Sequence, residues 1–171
     1  MKRRFATLYL ILSMAGPVMA DRATIEQYID DPQIVGEAKF EYIFWDVYTA
    51  KLYASAGDYV SDKPFALSLT YLRNFDGDDI AKRSVKEMKS QGFNDEEQLD
   101  QWLTTMNELF PDVKKGETIT GIADAQGVAH FYLDQNKLGE VDDPAFTQWF
   151  FAIWLSDKTS EPGLRKKLLN L

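Results

Sequence analysis

The sequence predicts an α+β fold, a large antiparallel β-sheet with a layer of helices packed on one face. Three observations carry this prediction. Two blocks of alternating apolar and polar residues lie on either side of a pair of stretches with helical periodicity. The chain then closes on aromatic-rich helical segments after Pro144. Strands, two helices, strands and helices, in that order, suit a single sheet that carries one helical layer.

The first strand signal is the alternation of Phe40, Tyr42 and Phe44 against Glu41 and Ile43. Val47 to Ala54 follows, with Tyr48, Ala50 and Leu52 on one face and Thr49, Lys51 and Tyr53 on the other. The pair reads as a hairpin or as one long bent strand. After a turn-rich stretch around Gly57 and Pro64, Phe65, Leu67, Leu69 and Tyr71 share a face, and the same alternation carries Arg73 onto it. Asp76, Asp78 and Asp79 place negative charge at a helix N-terminus. Ile80, Val85 and Met88 form the apolar stripe of that helix, which runs to about Gln91 and ends at Gly92. Asn94 or Asp95 caps the next helix, in which Leu99, Trp102, Leu103, Met106, Leu109 and Phe110 recur at core-facing spacing until Pro111.

The second strand block comprises Thr118 to Ala123, Val128 to Leu133 and Lys137 to Val141. Turns at Ala125-Gln126-Gly127 and Gln135-Asn136 join its members. Asp142 or Asp143 caps a helix with Pro144 in its first turn, a position that tolerates proline because its N–H has no intrahelical partner. Phe146, Trp149, Phe150, Ile153 and Trp154 make that helix apolar on most of its circumference. A short helix beginning at Ser160-Glu161-Pro162 follows, carrying Leu164, Leu168 and Leu169.

Residues 1–20 read as a cleavable secretory signal. Lys2, Arg3 and Arg4 precede an apolar stretch from Phe5 to Met14, and small residues lead to Ala20. The stretch is shorter than the roughly 20 apolar residues that a membrane-crossing helix needs. Residues 21–34 read as a surface segment or short helix leading into a domain at 35–171. The expected location is periplasmic or secreted. Three of the 19 basic residues lie in the leader and none of the 27 acidic ones does, so the mature chain carries a net charge of −11. Such a field repels phosphate backbones, which excludes nucleic acid as a partner, and it repels anionic membrane surfaces. No transmembrane segment is expected in the mature chain. With no cysteine in the sequence, stability rests on packing and no disulfide staple contributes.

Catalytic constellations are sparse. The one histidine, His130, alternates with Phe131 and Tyr132 in a strand and reads as a solvent-facing or hydrogen-bonded strand residue. One histidine and no cysteine leave little for a transition metal, and the Asp76–Asp79 run lacks the glycine and closing glutamate of a calcium loop. No cofactor or metal is expected. Aromatic residues number 23, enough to fill a core and also to line a pocket for an apolar ligand.

Several stretches give the chain a resemblance to chalcone isomerase-like proteins, in particular their exported bacterial group. These are residues 47–53, the strand at 66–71, Lys115-Gly116-Glu117, the turn at Gly127, and the ending at 150–156 with 164–169. The resemblance implies an open-faced sandwich whose sheet and helical layer enclose a cleft. It implies further that the enzymes of the family use an arginine, a threonine, and a tyrosine and an asparagine on the first helix. Thr49, or Tyr48 with a one-residue gap, matches the threonine. Residues 34–37 lack the arginine, and Ala81 and Met88 stand at the tyrosine and asparagine positions. Loss of the cation removes the electrostatic stabilisation on which that reaction leans.

Non-enzymatic members of the wider family bind fatty acids. The reading adopted here is a non-catalytic member that binds a fatty acid or other hydrophobic carboxylate in an aromatic-lined cleft. Trp45, Tyr48, Thr49, Tyr71 and Arg73 are its expected ligand-binding residues, with the Arg73 guanidinium pairing with the carboxylate. Two other readings stand beside it. One is an isomerase or lyase acting on an enone or chalcone-like substrate through Tyr48, Thr49 and Arg73. The other is a structural or interaction protein of the cell envelope, with no ligand and an unknown protein partner.

Overall fold

The computed structural model describes residues 18–171, with side chains from residue 22. The basic start and apolar stretch of the leader lie outside the described residues. Strands β1 (Pro32–Tyr42), β2 (Trp45–Ser55), β3 (Phe65–Tyr71), β4 (Thr118–Ala123), β5 (Ala129–Leu133) and β6 (Asn136–Val141) form one sheet. Its order is β1-β2-β3-β4-β5-β6 with every neighbour antiparallel. Helices α2 (Gly77–Ser90) and α3 (Glu96–Leu109) form the long connection from β3 to β4. Helices α4 (Pro144–Leu155) and α5 (Pro162–Leu168) follow β6. Residues 40–54 resolve into a hairpin whose two-residue turn is Ile43-Phe44, because Tyr42 pairs with Trp45. The last turn sits one residue earlier than its sequence signal, at Asp134-Gln135, where Asp134 takes the left-handed conformation that aspartate tolerates.

The expected caps form. The Asp95 side chain accepts from the Gln98 amide at 3.1 Å. Asp143 accepts from the amides of Ala145 (2.9 Å) and Phe146 (3.2 Å) and also from Trp102 Nε1 (2.9 Å), which ties α3 to the start of α4. The buried face of α2 is rotated from the expected stripe. Ala81, Ser84, Glu87 and Met88 are buried, while Ile80 and Val85 are half-buried. That face lies against α3 and α4, so small and polar residues stand where an apolar stripe was expected.

Helices α2 to α5 cover one face of the sheet, and the main core lies between the layers. Leu52, Phe131, Met88, Met106, Phe146 and Leu168 are fully buried there. A smaller cluster forms on the opposite face. Helix α1 (Val18–Ile25) and the turn after it place Ile25 and Ile29 against Tyr53, Ala66, Ile122 and Tyr132. The stretch 21–34 therefore contributes buried side chains as well as surface.

One close backbone approach sets the helical layer on the sheet, and a second locks two helices of that layer together. Gly36 of β1 lies under α5, where a Cβ would overlap the carbonyl oxygens of Lys167 and Leu168, and Gly77 lies against the Phe110 carbonyl in the same way. Only glycine permits such contact. Gly36→Ala should lower stability by about 3 kcal/mol or more, as overpacking against an unyielding backbone does. Chemical denaturation measures the loss, and hydrogen exchange should place the increased opening in α5.

Candidate functional site

Between the helical layer and the β1–β4 end that carries Tyr42, Tyr48 and Tyr71, the packing leaves a cavity of about 350 Å³. The sheet supplies Phe40, Tyr48, Leu69, Tyr71 and Ile119 as its floor. Phe150, Ile153 and Trp154 of α4 and Leu164 of α5 form the opposite wall. Helix α2 closes one side with Asp79, Ile80, Arg83, Ser84 and Glu87, and Ser160 and Glu161 complete the polar edge. The lining is predominantly aromatic and aliphatic, with a few polar groups set at one edge, the composition of a pocket for a small amphipathic molecule. A second hollow of about 510 Å³ lies at the other end of β3 and β4, by Phe65 and Ala123. Its rim includes the loop residues Ser61, Asp62, Lys63, Ala125 and Gln126, and it holds none of the expected site residues.

The polar edge is a connected network. Arg83 Nε and Nη2 both lie 2.7 Å from Glu87 Oε1, and Ser160 Oγ donates to Glu87 Oε2 at 2.7 Å. Glu87 is buried, and both its carboxylate oxygens are engaged, as a buried charge requires. The Arg83 side chain remains about half exposed, and its guanidinium lies 6.0 Å from the centre of the Tyr42 ring. Arg83 has further N–H donors beyond the two aimed at Glu87. Within the cavity, Trp154 Nε1 donates to the Tyr48 hydroxyl at 2.9 Å, and the Tyr48 and Tyr71 rings meet edge-on at 6.1 Å. Burial pushes the pKa of both phenols up, so both are neutral at physiological pH.

The structure divides the expected residues. Tyr48 and Tyr71 line the cavity. Thr49 lies on the opposite face with Lys51 and Tyr53, because successive strand side chains alternate. Arg73 does not continue the β3 face. The strand ends at Tyr71, the chain bends, and the Arg73 guanidinium stacks over the Trp45 ring at 4.1 Å. Phe75 occupies the cavity side instead, 5.6 Å from Tyr71. Neither Trp45 nor Arg73 is in the lining, so the carboxylate role expected of Arg73 has no geometric basis. Arg83, Glu87 and Ser160 were missed. Their trace in the sequence is Glu87 at i+3 from Ser84 and i+7 from Ile80, a charge on the inward side of a helix paired at i−4 with an arginine.

His130 is buried on the other face of the sheet. Its Nε2 lies 2.8 Å from Asp124 Oδ2, and its ring packs on Tyr28 at 4.6 Å. It is hydrogen-bonded, as expected, and is not solvent-facing. No cluster of metal-ligating side chains exists among the described residues.

The family model described as chalcone isomerase-like matches residues 35–170. The chain belongs to the chalcone isomerase-like family. Among solved structures, this family member is similar to a fatty-acid binding protein of Arabidopsis thaliana. The TM-score is 0.64 at 13% identity over 82% of this chain and 88% of that one, a likeness of fold. No curated protein sequence gives a significant match. Ala81 and Met88, which the sequence resemblance set at the enzymes' tyrosine and asparagine positions, are fully buried in this chalcone isomerase-like chain.

The two phenols give the site a pH signature. A folded-state pKa raised above the unfolded value of about 10 leaves stability unchanged below that pH and erodes it above. Stability should therefore fall above pH 10 by up to about 1.4 kcal/mol per pH unit for each phenol. Tyr71→Phe should flatten that fall, as read by denaturant titrations at alkaline pH.

Proposed function

We propose that this protein binds a single-chain fatty acid or similar hydrophobic carboxylate without transforming it, in the cavity between α2, α4 and the β1–β4 end of the sheet. The observation that carries the proposal is an aromatic and aliphatic cavity of about 350 Å³ with a half-exposed arginine, Arg83, at its edge. An acyl chain replaces water against Leu69, Ile119, Phe150 and Ile153, and its carboxylate pairs with the outward donors of Arg83. The volume sits at the lower end of ligand pockets, about 300–1,000 Å³, and suits one chain rather than two. The similarity to a fatty-acid binding protein supports this reading. The buried apolar Ala81 and Met88 support binding over isomerisation, since neither can donate or accept a proton.

Calorimetry with dodecanoate tests the proposal. Binding is expected to the wild type, and Arg83→Met should weaken it by roughly tenfold, the value of a charge-assisted hydrogen bond. Dodecanol should bind both proteins equally. Val47 also lines the cavity, next to Tyr48, and Val47→Trp should fill that end and abolish uptake of either compound. Equal dodecanoate affinity in the wild type and Val47→Trp would place the ligand elsewhere or nowhere.

We further propose that the protein works outside the cytoplasm, as a member of the exported bacterial group, on the strength of its signal-like leader. Ile25 and Ile29 lie beyond the expected cleavage point, so the mature chain keeps its docking on the outer face of the sheet. Edman sequencing of the exported protein should begin at Asp21.

A further inference from the structure

Beyond the cavity, the most exposed apolar feature of the described residues is the β1–β2 hairpin tip. Tyr42, Ile43, Phe44 and Trp45 are consecutive and are 52%, 70%, 92% and 59% exposed. We propose that this tip inserts into the interface of a zwitterionic lipid bilayer and holds the cavity mouth at the membrane surface.

Four features select that occupant. The tip is a convex two-residue turn, and four side chains cannot supply the roughly 800 Å² per partner that a stable protein interface buries. Insertion into a bilayer has no such area requirement. The order of residues matches a depth gradient: Ile43 and Phe44 lead, and Tyr42 and Trp45, amphipathic rings of the kind found at headgroup level, flank them. The cations behind the tip are engaged. Lys39 pairs with Glu41 and Asp46, Arg83 pairs with Glu87, and Arg73 stacks on Trp45. With Asp79 and Glu161 also at the cavity edge, and with the chain acidic as a whole, this surface repels an anionic bilayer and suits a zwitterionic one.

The fourth feature is backbone strain. Ile43 adopts φ +58°, a conformation that β-branched residues avoid and that glycine, asparagine or aspartate would take at little cost. An apolar side chain stands where local folding favours a polar one. Tyr42 belongs both to the tip and to the cavity lining, so a docked tip opens the cavity toward lipid. That last consequence rests on the ligand reading proposed above; the docking itself does not.

Co-sedimentation of the mature protein with phosphatidylcholine vesicles tests the inference, together with quenching of Trp45 by brominated acyl chains. The wild type should bind and be quenched, and Trp45→Phe should bind without that quenching. Phe44→Asp should weaken binding by about tenfold or more. Ile43→Asn should weaken it while holding or raising the melting temperature, a combination that a purely structural turn would not produce. Absence of vesicle binding, or equal binding by Phe44→Asp, would overturn the inference. So would a concentration-dependent dimer that Phe44→Asp dissolves, since the occupant would then be a second copy. Phe44 does not line the cavity, so Phe44→Asp should bind dodecanoate as the wild type does. Vesicle binding without dodecanoate binding defeats only the ligand reading, and the reverse result defeats only the docking.

Discussion

The packing of α4 on the sheet is the interaction on which the rest of the molecule depends. Phe150 meets Phe131 edge-on at 5.1 Å, stacks on Phe146 at 5.4 Å and reaches Trp154 at 5.5 Å. Phe151 packs edge-on against Phe65 at 4.9 Å. Gly121 of β4 makes this possible, because a Cβ there would press on the rings of Phe151 and Phe131 at 3.1 and 3.2 Å. Burying one large side chain of this kind contributes about 1.5–3 kcal/mol, and edge-to-face geometry adds to that. In a chain without cysteine, these contacts hold the helical layer in place.

The cavity follows from how that layer is pinned. The close approach of α5 to β1 at Gly36, that of α2 to the end of α3 at Gly77, and the ring cluster around Phe131 set three points of contact. Between them, rigid rings cannot fill the space beside Tyr48 and Tyr71, so a lined hollow remains. Its polar groups gather at one edge because Arg83, Glu87 and Ser160 satisfy one another there, which keeps the interior apolar. Apolar depth, a charged edge and an apolar tip next to the mouth form a graded path, suited to a molecule that has a hydrocarbon chain and one ionised end.

Local patterns in the sequence foretold most of the architecture. The alternation in residues 47–54 and 65–71, the caps at Asp95 and Asp143, and the apolar girth of α4 each depend on neighbours a few residues away. Each appears where expected. The site was legible only where strand alternation sufficed: Tyr48 and Tyr71 face the cavity because their faces follow from period two. Extending that period to Arg73 failed at a chain bend that alternation does not encode. Glu87 gave no signal in the helical pattern, and its burial is supported by partners at Arg83, one turn back, and at Ser160, 73 residues away.

Secondary structure, its caps and the layered class were thus written into short-range pattern and composition, which act within a few residues or over the whole molecule at once. The placement of Arg83 rather than Arg73 beside the cavity, the burial of Ser84 and Glu87, the covering of the outer face by Ile25 and Ile29, and the cavity itself arose from contacts between distant segments. Those contacts depend on the angles at which helices meet the sheet and on which backbones can touch. No periodicity in a linear chain specifies such angles, because they are settled by side-chain packing across the interface between layers.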